Sequence, residues 1–215
     1  MSKKPPETVS AEKAKGAIGQ TLEATAEGIE ALIDALTSDE VLKELPAVGT
    51  LLKLFRSGDK ARAAMLARKL ETFISEAKQR TPKAAEKLRG KVEKSEAEAL
   101  RIGEVVTHVL DRAAQDGKPK LAAQVFVGFL EGRIDEEQLR RLLFAIDAAF
   151  IDDLNRLLDW DLNIHPSHGA AWIPFMSGAG FARIRVDTKF DESAVEYEWT
   201  ELARLLRVAV EPTSR

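Results

Sequence analysis

The sequence predicts a mainly α-helical fold: a bundle of about six helices, then a small C-terminal β-hairpin and a closing helix. First, the 215 residues are 45% hydrophobic and 31% charged, which suffices for a core. Second, Ala, Leu, Glu, Lys and Arg dominate long stretches in which apolar residues recur at helical spacing. Third, Gly, Pro and short extended runs interrupt that pattern after Trp160. We therefore predict a disordered tail at 1–9, a helical bundle at 10–160 and a hairpin with a closing helix at 161–215.

Apolar periodicity and capping residues define the helices of the bundle. They are predicted over 10–36, 40–45, 60–79, 83–93, from 95 to before Asp116, 120–131 and 135–159. Helix 60–79 should turn one side inward, formed by Met65, Leu66, Leu70, Phe73, Ile74 and Ala77. Asp116 to Pro119 reads as a turn, and Asp135 with Gln138 has the spacing of a capping box. The last helix is predicted to run unbroken from Asp135 to Asp159, with Phe150 in its core stripe.

The C-terminal segment is predicted to be extended before its final helix. Ala170–Phe175 and Phe181–Asp187 read as strands joined by the turn Ser177–Gly180, and Val195–Trp199 reads as a third strand. Thr200 is the predicted N-cap of the closing helix.

Composition and motifs argue against catalysis. The absence of cysteine excludes disulfides, thiolate metal sites and cysteine nucleophiles, and no phosphate loop or nucleophile elbow occurs. The one metal alternative is His165 and His168 with Asp161, although loop histidines are more often simply solvated. We therefore expect a non-enzymatic chain without a cofactor. Because no signal peptide and no membrane-spanning apolar run occurs, we expect it to be cytoplasmic.

Charge is distributed unevenly along the chain. Residues 53–94 hold thirteen basic and five acidic side chains, a net charge of +8, whereas 131–161 hold four basic and nine acidic ones, a net charge of −5. One interpretation is a nucleic-acid or anion surface, for which the candidates are Lys83, Lys87, Arg89, Lys91 and Lys94. The alternative is that the basic and acidic helices pair with each other, within one chain or between subunits. A third hypothesis places the apolar segment 46–55 shallowly in a membrane surface beside these bases.

Most of the largest aromatic side chains lie near the C-terminus. They are Trp160, Trp172, Phe175, Tyr197 and Trp199. Such residues anchor protein interfaces, although each could instead fill a small local core. The leading hypothesis is therefore an interaction or regulatory protein, self-associating, whose C-terminal module contacts a partner.

The string Tyr197-Glu198-Trp199-Thr200-Glu201-Leu202-Ala203 resembles the end of the wing in bacterial winged-helix proteins, where Tyr-x-Leu-Thr-x-x-Gly leads into a helix. Trp199 replaces the leucine and Ala203 the glycine, and an unbroken helix at 135–159 would leave no helix-turn-helix pair. Together with Leu45-Pro46-Ala47-Val48-Gly49 and Lys69-Leu70-Glu71-Thr72-Phe73, the chain resembles a group of uncharacterised bacterial and phage-associated helical proteins with such a tail. That resemblance implies a wing-like fold at the C-terminus and no particular activity.

Overall fold

The structure is a computed structural model that describes residues 46–81, 95–164, 170–185 and 196–212, and also residues 31, 34, 35, 38, 83, 86, 87 and 90. The predicted tail 1–9 and the predicted helix 40–45 lie outside the described residues, as does most of helix 10–36. The described helices with defined bounds are α1 Pro46–Ser57, α2 Lys60–Arg80, α3 Glu96–Arg112, α4 Gly117–Leu130, α5 Glu136–Ala148, α6 Ile151–Asp159, α7 Ile173–Gly178 and α8 Glu201–Val210. The two strands are β1 Ala182–Arg185 and β2 Glu196–Trp199. The predicted mainly α-helical class is confirmed.

Helix α4 lies at the centre of the bundle. It packs against α2, α3, α5 and α8, and only Gly117, Lys120 and Gln124 among its residues are not buried. A helix that is apolar around most of its circumference needs neighbours on most sides. Leu121, Val125 and Phe129 are therefore buried, as their spacing predicted. The closing helix α8 shares this core, with Ala203, Leu206 and Ala209 buried.

Local signals define several helix ends, and the capping box predicted at Asp135 and Gln138 is confirmed. Asp59 Oδ1 accepts a hydrogen bond from the Arg62 amide at 3.2 Å and caps α2. At α5 the Asp135 carboxylate and the Gln138 side chain each bond the other residue's backbone amide, at 2.8 and 2.9 Å, in a complete capping box. Gly132 ends the preceding helix α4 with a φ of +76°.

The long helix predicted from Asp135 to Asp159 is instead two helices. Ala149 and Phe150 both adopt extended backbone, which separates α5 from α6. The Gln115 side-chain oxygen accepts a hydrogen bond from the Ile151 backbone amide at 2.9 Å. An amide in the first turn of a helix has no partner within the helix, and here Gln115 supplies one for α6. This break turns the Phe150 ring to solvent, where an unbroken helix would have buried it.

The predicted strand at 170–175 is wrong, because α7 begins within it at Ile173. Ser177–Gly180 is not a hairpin turn: the Gly180 amide bonds the Ser177 carbonyl and the Phe181 amide bonds the Met176 carbonyl, which ends α7 in a Schellman motif. Gly180 supplies the required positive φ of +87°. The hairpin is formed by β1 and β2, which are antiparallel with Ala182 opposite Trp199.

The apolar segment 46–55 lies within α1 and contributes to the core. Ala47, Val48 and Leu51 are buried, and α1 packs on both α2 and α3. The predicted inward position of Met65 is wrong, since 58% of its surface is exposed, and Leu100 on α3 likewise points outward with 54% exposed. Among the helices that the structure describes, none is long and apolar enough to cross a bilayer.

Candidate interaction surface

Three of the five predicted interface aromatics form a cluster inside the C-terminal unit. The ring centroids of Trp160, Trp172 and Trp199 lie 5.7 to 6.3 Å apart. The indole Nε1 groups of Trp160 and Trp199 each donate to the Ile164 carbonyl at 3.2 Å. Because Trp172 and Trp199 are buried, these rings hold the loop after α6 against the hairpin. The three tryptophans therefore form a small local core, which was the alternative to a protein interface.

The junction between the hairpin and α8 depends on Thr200. Its Oγ1 donates towards the Gly180 carbonyl at 2.7 Å and the Phe181 carbonyl at 3.1 Å, and its amide donates to Phe181 at 3.0 Å. Thr200 occupies the N-cap position of α8, but its hydroxyl makes no capping bond to the helix. The hydroxyl instead joins the base of the hairpin to the end of α7. Tyr197, on β2, is half-buried opposite Ile184.

Phe175 is the one predicted interface aromatic that the fold presents to solvent. It is 58% exposed and stacks edge-to-face on Phe150, which is 55% exposed, with the ring centroids 6.0 Å apart. The sequence reasoning missed Phe150 because it placed this residue inside a continuous helix. The adjacent carboxyls of Asp152 and Asp153 were an available signal, since acidic residues favour the first turn of a new helix.

An apolar groove of about 580 Å³ lies between α5, the end of α7 and the start of α8. Phe144 and Ala148 from α5 form one wall, and Ala179, at the end of the helix that carries Phe175, forms part of the other. Phe144 is half exposed and also contacts the His108 ring, with centroids 6.0 Å apart. The start of α8 also lines the groove through Glu201 and Leu202, whereas Phe150 and Phe175 do not, so the exposed aromatic pair and the groove are two separate features of the C-terminal unit.

Exposed carboxylates lie along α6, the helix that begins directly after Phe150. The exposed positions of this helix are Asp152, Asn155, Arg156 and Asp159, whose spacing places them on one face. Arg156 is bound to the buried Asp153 at 3.3 Å, so it is not available to Asp152 or Asp159. Neither of these two carboxylates forms an ion pair with another described residue. The surface beside Phe150 is therefore acidic.

Several basic side chains donate hydrogen bonds to the backbone carbonyls at the ends of helices instead of extending into solvent. Lys69 Nζ donates to the Asp111 carbonyl at the end of α3, at 2.9 Å, and Lys118 Nζ donates to the Asp147 carbonyl near the end of α5, at 2.6 Å. The last carbonyls of a helix lack partners within the helix and carry its negative dipole end, so a cation there is favourable. Burial lowers the pKa of both Lys69 and Lys118, and nearby aspartates partly offset this effect.

The end of α8 is held in the same way by two arginines. Arg80 donates to the Val210 carbonyl at 2.8 Å, while Arg133 donates to the Val208 carbonyl at 3.2 Å and to the Glu211 carbonyl. In return, Arg207 of α8 donates to the carbonyls of Leu157 and Leu158 at the end of α6, at 3.3 and 3.0 Å. Arg80 and Arg133 also line a polar cleft of about 340 Å³ that contains the buried Glu76. The guanidinium groups of Arg80 and Arg133 therefore hold the closing helix α8 on the bundle.

The predicted anion-binding residues are only partly described. Lys83 is exposed, and Lys87 forms an ion pair with Glu131 at 3.3 Å, whereas Arg89, Lys91 and Lys94 lie outside the described residues. The Lys87–Glu131 pair joins the basic and acidic segments within one chain, as the alternative interpretation required. A further set of basic residues is exposed and forms no ion pair with a described residue: Lys53, Arg56, Lys60, Arg68 and Lys78.

The proposed metal ligands His165 and His168 also lie outside the described residues. Asp161 is exposed, and its Oδ1 accepts hydrogen bonds from the backbone and side-chain nitrogens of Asn163 at 3.0 and 2.9 Å. Within the part of the chain that the structure describes, no three His, Asp or Glu side chains are grouped as metal ligands.

Comparison with known proteins supplies no relative. No protein-family model matches the chain, and neither a curated protein nor a solved structure shows significant similarity to it.

Proposed function

We propose that this chain is a non-enzymatic interaction or regulatory protein that binds a protein partner through its C-terminal unit. The observation that supports this function is the stacked pair of Phe150 and Phe175, each more than half exposed. Isolated exposed apolar residues are common, but two exposed aromatic rings in edge-to-face contact form a larger apolar patch, which is typical of a binding surface.

The contrast with the neighbouring tryptophans strengthens this interpretation. Trp160, Trp172 and Trp199 pack into a shared cluster, and the indole nitrogens of Trp160 and Trp199 are hydrogen-bonded, so these rings have a structural role. The pair Phe150 and Phe175 has no such cover, and a partner that removes both rings from water gains the free energy of burying aromatic surface. The tryptophan cluster holds the loop and hairpin in place beside this pair.

Site-specific photocrosslinking tests the proposal in the organism that encodes the protein. A photoreactive phenylalanine analogue is placed at position 150 or 175 of the full chain, and the control carries it at Leu100, which is 54% exposed on α3. We expect discrete crosslinked species from positions 150 and 175 that are missing from position 100. The same products from all three positions, or none from 150 and 175, would contradict the proposal.

Nucleic-acid binding is a second candidate, supported by the exposed basic residues of α1 and α2. Lys53, Arg56, Lys60 and Arg68 lie along these two helices without ion pairs to described residues. Fluorescence anisotropy with short duplex DNA and RNA at about 50 and 200 mM salt tests it, since several phosphate contacts would weaken binding by orders of magnitude between these conditions. Undetectable binding at the lower salt concentration would exclude this candidate.

The structure offers less support for membrane association through 46–55. The residues that would enter the bilayer surface, Ala47, Val48 and Leu51, are already packed in the core. Their transfer to a membrane would require α1 to leave α2 and α3. We therefore do not propose this function.

A further inference from the structure

We infer that the partner of the aromatic surface is a second copy of this chain, which docks head to tail with its basic α2 surface. This inference rests on the proposed function and names the occupant of the same site. The acidic face is defined as Phe150, Asp152, Asp159 and Phe175. The basic face is defined as Arg56, Lys60, Met65 and Arg68.

The basic face combines exposed cations with one exposed apolar side chain. Lys60, Met65 and Arg68 lie on the outer side of α2, and Arg56 lies one turn before the bend that joins α1 to α2. Met65 is 58% exposed, and its thioether is the flexible, polarisable group that packs well on aromatic rings. Glu71, three residues after Arg68, is the acidic residue that acts on Arg68 electrostatically, and it lies at the margin of this face.

The two faces are complementary in both charge and apolar content. The acidic face offers two carboxylates without ion pairs to described residues beside two stacked phenylalanines. The basic face offers three cations around a methionine. Opposite charges around an apolar centre favour a specific orientation and accelerate association.

A single chain cannot bring these faces together. Helix α2 packs on α1, α3 and α4, whereas α6 packs mainly on α8, and α2 and α6 share no substantial contact. A contact between these faces can therefore form only between copies, with different surfaces on each side. Such a heterologous contact closes into a ring or extends as a filament.

Charge reversal tests the contact with the purified full chain. One variant carries Asp152→Lys and Asp159→Lys, and the other carries Lys60→Glu and Arg68→Glu. All four positions are exposed, and in the first variant the added lysines have opposite effects on the α6 dipole. Circular dichroism and thermal unfolding first establish that both variants fold like the unmodified chain.

Sedimentation velocity and light scattering then measure association. We expect the unmodified chain to self-associate at about 50 mM salt, with affinity at least about tenfold lower at 500 mM. Each variant alone should be monomeric, because like charges meet in its contact. An equimolar mixture should associate again, because the intact basic face of one variant meets the intact acidic face of the other. The matched control, Arg101→Glu on the exposed side of α3, lies in neither face and should associate like the unmodified chain.

The outcomes separate this inference from the proposed function. A monomeric chain at every salt concentration, or association that both variants retain, overturns the second-copy inference. If the purified chain is monomeric while positions 150 and 175 crosslink a different protein in cells, the proposed function stands and the occupant is that protein. If these positions also give no crosslink, both proposals fail. Binding of the basic face to DNA or RNA with no self-association would assign that face to nucleic acid and overturn the inference.

Discussion

Replacement of Gly128 by alanine tests a close approach between the helices α4 and α8. A Cβ at this position would lie 3.0 Å from the Ala209 Cα and 3.1 Å from its carbonyl carbon, and it would overlap the carbonyl oxygen. Carbon atoms in van der Waals contact are about 3.5–4.0 Å apart, so α8 would have to move away from α4 by about half an ångström or more. The obstacle is backbone, which cannot rotate away as a flexible side chain can.

The magnitude follows from two opposing terms. Overpacking a buried contact costs about 1–3 kcal/mol. Alanine also gains about 1 kcal/mol over glycine in the middle of a helix. Gly49 provides the matched control, because it is an exposed glycine within α1 and an added Cβ there meets nothing within 4 Å. The propensity gain is common to both substitutions, so the difference between them isolates the packing cost of about 1–3 kcal/mol.

Urea unfolding followed by circular dichroism measures this difference. We expect Gly49→Ala to stabilise the chain by about 0.5–1 kcal/mol and Gly128→Ala to destabilise it by up to about 2 kcal/mol. Ala209→Gly should not rescue Gly128→Ala, because the clash involves backbone atoms of Ala209. Equal stabilisation by the two alanine substitutions would refute the close approach of α4 and α8, and rescue by Ala209→Gly would refute its assignment to backbone.

Three further substitutions test the polar contacts of the fold. Arg133→Met removes the hydrogen-bond donors to the end of α8 and should lower the free energy of unfolding in urea by about 2–3 kcal/mol. The control Arg141→Met, which removes one side of an exposed ion pair, should lower it by less than about 0.5 kcal/mol. Equal losses would contradict the role of Arg133. Thr200→Val should lower stability by about 1–2 kcal/mol because two carbonyls lose their hydroxyl partner, and Thr200→Ser should restore most of it. Burial raises the pKa of Glu71 above its ordinary 4.5, so the folded state binds the carboxyl proton more tightly than the unfolded state does. The free energy of unfolding therefore falls as the pH rises from the unfolded-state pKa through the folded-state pKa. Glu71→Gln should therefore have the higher melting temperature at pH 7 and lose that advantage below about pH 4.5, and a pH-independent difference would disprove the burial effect.

Sequence patterns were sufficient where a local interaction decides the structure. The capping box of Asp135 and Gln138 and the N-cap at Asp59 are formed by residues three positions apart, so they can be read directly from the chain. The apolar stripe of α2 was predicted in the same way, apart from Met65, because helical periodicity determines which residues share a face.

The candidate surface could not be predicted because it depends on contacts between distant segments. The break after Ala148 is stabilised by Gln115, thirty-six residues away, and only that break exposes Phe150. Likewise, the Gly-rich run that ends at Gly180 is compatible with either a hairpin turn or a helix end, and the placement of α7 decides for the helix end.

Composition and periodicity by themselves determined the mainly helical class, the presence of a small hairpin near the C-terminus and the closing helix. Which strands pair was decided by the tertiary structure, since β1 pairs with β2 and the predicted strand at 170–175 contains the start of α7. Only the tertiary structure decided which aromatics are exposed and which cations are free. Trp160 and Trp199 bond the same carbonyl and cluster with Trp172, and Lys69, Arg80 and Arg133 donate to the ends of other helices. The physical reason is that a carbonyl at a helix end, or an indole N–H, can form its hydrogen bond with any suitable group that the fold brings near. Which group comes near depends on contacts between distant segments and not on local sequence spacing.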